Sequence, residues 1–214
     1  MRSCAIFDLD GTIIDNSSEK VFFKYLIEHG EIPIRNVVEW MGYLIKGRDL
    51  RAAKANKAYL RGLNDQHLRN LAQICFTDGL VHRISPWAHE LMAFHRAEGR
   101  AIIILSGSLE ILVRTFHSHL KTDLMIGYKL EVIDGCVTGQ RVGLNPYGEN
   151  IANFVRQLVE EHNFDLSRSY AYGNHYSDAH KLRLVGQPVA VNPDRKLREI
   201  AIANGWKIEW FHGE

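Results

Sequence analysis

Two carboxylates close an apolar run near the start of the chain. In "CAIFDLDGTII", Cys4, Ala5, Ile6 and Phe7 lead into Asp8, Leu9 and Asp10, then Gly11, Thr12 and two isoleucines. Residues two apart on a strand point the same way, so both acids can address one site. Desolvating a charge is costly, so acids in this position imply something that holds them. Two more clusters suit the same chemistry. Ser106-Gly107-Ser108 follows the apolar run "AIIIL" and offers hydroxyls and backbone donors where a helix begins, a place that favours an anion. Asn174 and Asp178 follow "YAYG" and supply oxygen atoms, the hard ligands that Mg2+ requires. With the turn at Gly11-Thr12, these are residues suited to phosphate chemistry.

Elements of alternating type must bring them together. Strand-like runs at 3–7, 101–105, 169–172 and 188–191 are separated by amphipathic stretches. That alternation predicts an α/β fold, a Rossmann-like three-layer core around a parallel sheet, with ligands at the carboxyl ends of the strands. Trp87, Leu91 and Phe94 mark the buried stripe of a helix closed by Gly99. Leu109, Leu112, Val113 and Phe116 mark another, and Ile151, Phe154, Val155, Leu158 and Val159 a third. "YKLEVIDGCVTGQRV" alternates about Asp134-Gly135 and predicts a β-hairpin insertion. Between the first two strands lies a stretch of helical spacing (Val21, Phe22, Tyr25, Leu26) without a convincing strand. The expected organisation is a core of residues 1–15 and 82–214 with a small helical cap at 16–81.

Composition narrows the partners. The 214 residues carry 26 basic and 25 acidic side chains, a net charge of +1. No field of either sign favours nucleic acid or an anionic membrane surface, so neither is expected as a partner. Cys4, Cys75 and Cys136 are widely spaced and form no CxxC pair, which reads as reduced core thiols. No apolar run is long enough for a signal-peptide core or a membrane span, so a cytoplasmic protein is expected. Oligomeric state is not written in the sequence.

"FDLDGT" resembles the first motif of the haloacid dehalogenase-like phosphohydrolases. "IIILSGS" resembles their second, and the stretch beginning "YAYGNHYSDAHKL" their fourth. The order and spacing of these motifs, and the helical insert after the first, resemble the phosphoserine phosphatase branch across nearly the whole chain. The resemblance implies a phosphomonoester hydrolase acting on a small phosphorylated substrate. It makes Asp8 the nucleophile that forms an aspartyl-phosphate, and Asp10 the acid that protonates the leaving oxygen and then activates water. Ser106 and Gly107 would hold phosphoryl oxygens. Mg2+ would be bound by Asp8, by the Asp10 backbone carbonyl and by Asn174, with Thr12 and Asp178 in support.

The chain departs from that pattern in three places. Asn174 stands where the family has a metal-binding Asp, and aligning "YGENIANFVRQL" by its apolar stripe puts Asn150 where the family has a Lys. The two replacements leave the net charge of the site unchanged; His175, Arg141 and Lys181 are the cations that could take the lost role. The alternative function is a catalytically impaired phosphate-binding or regulatory protein. Phosphoserine is disfavoured as substrate, because the position nine after the nucleophile, a Glu in that phosphatase, is Ser17 here, with Glu19 two residues further on. Several features also have plain structural readings. Ser106-Gly107-Ser108 caps the next helix, and the histidines apart from His175 and His180 are surface residues. His175 and His180 themselves are exposed loop residues. The basic stretch with Arg48, Arg51, Lys54 and Lys57 is a solvated helix face, from which one arginine could reach a substrate.

Overall fold

The structure is a computed structural model that describes residues 1–46 and 57–211. Its sheet is built from β1 (Cys4–Phe7), β2 (Ala101–Leu109), β3 (Leu124–Tyr128), β6 (Tyr170–Gly173), β7 (Gln187–Val191) and β8 (Lys207–Glu209). The strand order is β3-β2-β1-β6-β7-β8, all neighbours are parallel, and β1 lies inside the sheet. Alternation along the strands divides the core in two. Ala5, Phe7, Ile102 and Ile104 enter one apolar cluster. Cys4, Ile6, Ile103 and Leu105 enter the other. The described residues form eight α-helices: α1 (Ser18–Glu28), α2 (Ile34–Lys46), α3 (Asp65–Asp78), α4 (Pro86–Ala97), α5 (Glu110–Leu120), α6 (Asn150–His162), α7 (Ala179–Leu182) and α8 (Arg195–Ala203). Residues of α1, α3, α4 and α5 pack in the first cluster and those of α6, α7 and α8 in the second, which gives the expected three layers.

The helices form where the apolar spacing predicts them, with local corrections. In α6 the stripe is buried at Ile151, Val155 and Leu158. In α4 it is displaced by one residue: Ala88, Met92 and His95 are buried, while Phe94 is 48% exposed. The imidazole can occupy the interior because Nε2 meets the Tyr172 hydroxyl at 2.7 Å. This overturns the surface reading at His95. Burial, then the nearby Arg100 guanidinium, pushes its pKa down to about 4.

The hairpin forms from β4 (Leu130–Ile133) and β5 (Cys136–Arg141), with Asp134 at φ 50° and Gly135 at φ 76°, as its tight turn requires. Its outer edge is not left open. Lys57 N donates to Gly139 O at 3.1 Å, Gly62 N to Val137 O at 2.8 Å and Asp65 N to Gly135 O at 2.9 Å, while Val137 N donates to Leu63 O at 2.9 Å. The segment between β1 and β2 is therefore helical but not without extended pairing. Gly139 sits at φ 81°, and a Cβ there would lie 2.9 Å from the Ala58 Cα. All three cysteines are free thiols, Cys4 and Cys75 buried and Cys136 half-buried. Among the described residues, no helix is long and apolar enough to cross a membrane.

Candidate active site

The carboxyl ends of β1, β2 and β6 open into one cleft of about 1030 Å³. Asp8, Asp10, Ser106, Gly107, Asn174 and Asp178 all line it. Six of the residues singled out from the sequence thus converge because each leaves a neighbouring parallel strand at the same edge. Thr12 is buried beside them, and its hydroxyl has no hydrogen-bond partner among the described residues. Asn150 is placed differently: it heads α6 half-buried, and its neighbours Glu149 and Ile151 line the cleft instead.

Asp10 is gripped from two directions. Ser18 N, at the start of α1, donates to Oδ1 at 2.9 Å, and Ser108 Oγ donates to Oδ2 at 2.7 Å. Ser18 Oγ lies 3.2 Å from Ser108 Oγ, which closes the network. Burial raises the Asp10 pKa, and these same donors oppose the rise by stabilising the ionised form. The motif places Ser108 near the site but does not give its contact with Asp10. Its position follows from a register shift in the β2–β3 pairing between Leu105 and Leu109, which carries the 106–108 segment over the cleft.

That irregular strand end also corrects the capping expectation. β2 continues to Leu109, which is the N-cap of α5 and makes no side-chain cap bond. Ser106 Oγ instead accepts from Ser108 N at 3.2 Å, which leaves its proton for an acceptor in the cleft.

Asp8 sits at the cleft floor with its pKa raised well above the usual carboxylate range. Burial is the main cause, followed by the Asp178 carboxylate; Asp10 adds to it, while the Lys181 ammonium and the Leu9 amide oppose it. Excess negative charge in a place shielded from water favours a bound cation. Gly11 (φ 79°) is what lets Asn174 come close, since a Cβ there would lie 2.0 Å from Asn174 Nδ2. The Asn174 side chain makes no hydrogen bond to the described residues, and its oxygen is available to a ligand. No cluster of three or more His, Cys, Asp or Glu side chains suited to a metal occurs among the described residues. A cation here would rely on Asp8, an amide oxygen and a backbone carbonyl. That all-oxygen set fits Mg2+.

Asp178 is fully engaged by the protein. Its Oδ2 accepts from Asn174 N at 3.1 Å and His175 N at 3.0 Å, and its Oδ1 from Lys181 Nζ at 2.7 Å. His175 is 41% exposed at its side chain and bonds to Ser177 Oγ, in keeping with a loop histidine.

The far side of the cleft carries a second ion pair. Lys57 Nζ lies 2.6 Å from Glu19 Oε2, and Leu109 N donates to Glu19 Oε1 at 3.0 Å. With only 9% of its side chain exposed, Lys57 is not part of a solvated face. Arg48, Arg51 and Lys54 lie outside the described residues.

The chain is similar to known proteins along nearly its whole length. The family model for haloacid dehalogenase-like hydrolases matches residues 5–183. The chain is similar to the "Inhibition of morphological differentiation protein" of Streptomyces azureus, 36% identical over 220 residues, covering 99% of this chain and 79% of that one. It is 28% identical over 218 residues to a histidinol-phosphatase of Neisseria meningitidis, covering 97% and 98%. Its fold is similar to a solved phosphoserine phosphatase carrying an analogue of a phospho-aspartyl intermediate. There the TM-score is 0.68 and the identity 17%, over 100% of this chain and 95% of that one.

Proposed function

The chain belongs to the haloacid dehalogenase-like hydrolases, and on that premise we propose a Mg2+-dependent phosphomonoester hydrolase that works through an aspartyl-phosphate on Asp8. Its substrate is a small phosphorylated metabolite other than phosphoserine. The observation that carries the reading is the pairing at the end of β1: one half-buried carboxylate that makes no side-chain hydrogen bond among the described residues, and a second held in place two residues on. The phosphatase names among the relatives support it.

In this reading Asp8 attacks phosphorus and the bond to the leaving oxygen breaks, with Asp10 delivering the proton to that oxygen. Asp10, now ionised, takes a proton from water as the water attacks the aspartyl-phosphate, which releases phosphate and restores both acids. The Ser106 hydroxyl and the Gly107 amide hold the phosphoryl oxygens through both steps. Asp8, the Asp10 backbone carbonyl and Asn174 would hold Mg2+, which when bound offsets the charge of the phosphoryl group. Residues 1–15 and 82–214 act as the catalytic core and 16–81 as the cap. Three free thiols support a cytoplasmic setting.

Against phosphoserine stands the state of the cap side of the cleft. Ser17, nine residues after Asp8, caps α1, and both oxygens of Glu19 are engaged by Lys57 and Leu109 N. No free carboxylate is supplied by Ser17 or Glu19 for a substrate ammonium.

The test is hydrolysis of a generic aryl phosphate with Mg2+. Turnover that Asp8→Asn abolishes is expected, together with a Mg2+-dependent beryllium fluoride adduct on Asp8. No turnover across a broad phosphate panel and no adduct would leave the phosphate-binding alternative.

A further inference from the structure

Lys181 is a fully buried lysine, 0% exposed, the third residue of α7. Its Nζ meets Asp178 Oδ1 and no other acceptor among the described residues. Taking an ammonium out of water is unfavourable unless a specific partner repays it, so this one has a task at Asp178. The carboxylate it meets is itself only 4% exposed and shares its surroundings with Asp8 and Asp10. Asp178 is also wedged: a Cβ on Gly173 would come within 2.5 Å of its Cβ. Its second oxygen binds the amides of Asn174 and His175. A chain of contacts thus runs from Lys181 through Asp178 to the backbone from which Asn174 projects. The other two cations that could replace the family's Lys have different side-chain partners. Arg141 is exposed and donates to Gly143 O, while His175 faces Asp194 at 3.6 Å.

We propose that Lys181 is a positioning residue: it keeps the Asp178 carboxylate in its seat, and Asp178 fixes the Asn174 backbone so that the amide side chain stays over Gly11, in the cleft that Asp8 also lines. The inference rests on the hydrolase reading for the meaning of Asn174, not for the contacts. Removing the ammonium alone leaves an uncompensated buried carboxylate beside two others, and the seat is lost. Removing both charges does not, because an Asn at 178 needs no counter-ion and its oxygen still accepts from the two amides.

The test compares wild type, Lys181→Met and the double variant Asp178→Asn/Lys181→Met, reading Mn2+ affinity by electron paramagnetic resonance, aryl-phosphate kcat and melting temperature. Lys181→Met is expected to lose ten- to hundredfold in Mn2+ affinity and in kcat, the range for contacts that orient metal ligands. The double variant is expected to recover both. If Lys181→Met fails to fold, the double variant decides alone, by matching wild type or not. A double variant that melts normally but stays as slow and as weakly binding as Lys181→Met would overturn the proposal, since the ammonium would then act on the site directly. So would a Lys181→Met protein equal to wild type. A wild type that binds Mn2+ but hydrolyses no phosphoester would sink the hydrolase reading while the Mn2+ series still judges Lys181. A wild type that binds no Mn2+ would sink both.

Discussion

Replacing Ser108 by alanine isolates one contact of the proposed acid. The Ser108 hydroxyl donates to Asp10 Oδ2 at 2.7 Å, the short distance expected of a charge-assisted bond. Bonds to ionised groups contribute about 1.5–3 kcal/mol. The contribution applies only to the charged carboxylate, so its loss makes Asp10 harder to ionise, and about 1.4 kcal/mol corresponds to one pH unit. Ser18 N still holds Oδ1, so the carboxylate stays in place. In the proposed mechanism Asp10 must be ionised to activate water. The acid limb of the kcat profile is therefore expected to move upward by about one to two pH units, with little change on the plateau. The assay is steady-state aryl-phosphate hydrolysis from acid to neutral pH with saturating Mg2+, alongside thermal melts to exclude unfolding. An acid limb left in the wild-type position in a well-folded Ser108→Ala protein would refute the assignment of Asp10 as the ionising group.

Thr12→Val removes a buried hydroxyl that has no partner among the described residues, so the metal-free protein is expected to gain on the order of 1 kcal/mol in urea unfolding; a loss of that size would show that the hydroxyl is satisfied. The raised pKa of Asp8 has a defined sign in the stability profile. Its contribution is fully present below the ordinary carboxylate value of about 4 and is lost as pH rises through the raised folded value, so the metal-free protein should weaken over that interval. Mg2+ should abolish the decline, and Asp8→Asn should flatten it. Melting curves across pH with and without Mg2+ check both, and a metal-free wild-type profile as flat as that of Asp8→Asn would contradict the charge account.

Much of the site was legible because strand ends in a parallel sheet share one edge. Asp8, Ser106 and Asn174 each follow an apolar run of recognisable length, so their convergence needed no distances. What escaped notice depends on detail finer than periodicity. Phe94 and His95 are adjacent, and a shift of one residue in a helix stripe is decided by the Tyr172 partner on another element. β8 is a sheet-edge strand of three residues with a single isoleucine, so its apolar signal is weak. Ser108 faces Asp10 only because β2 and β3 slip in register. The pair of Lys57 and Glu19 joins residues 38 apart and leaves no local pattern. Lys181 did carry a signal: three residues after an acid, it can meet that acid on the same face of a helical turn.

The grip of Ser18 on Asp10 has a consequence for selectivity. Ser18 is the first residue of α1, the helix by which the chain enters the segment over the cleft. A leaving group that displaces this helix disturbs the proposed proton donor, Asp10, at the same moment. Poorly matched esters would then bind and stall, and discrimination among them would be read in turnover number more than in apparent affinity.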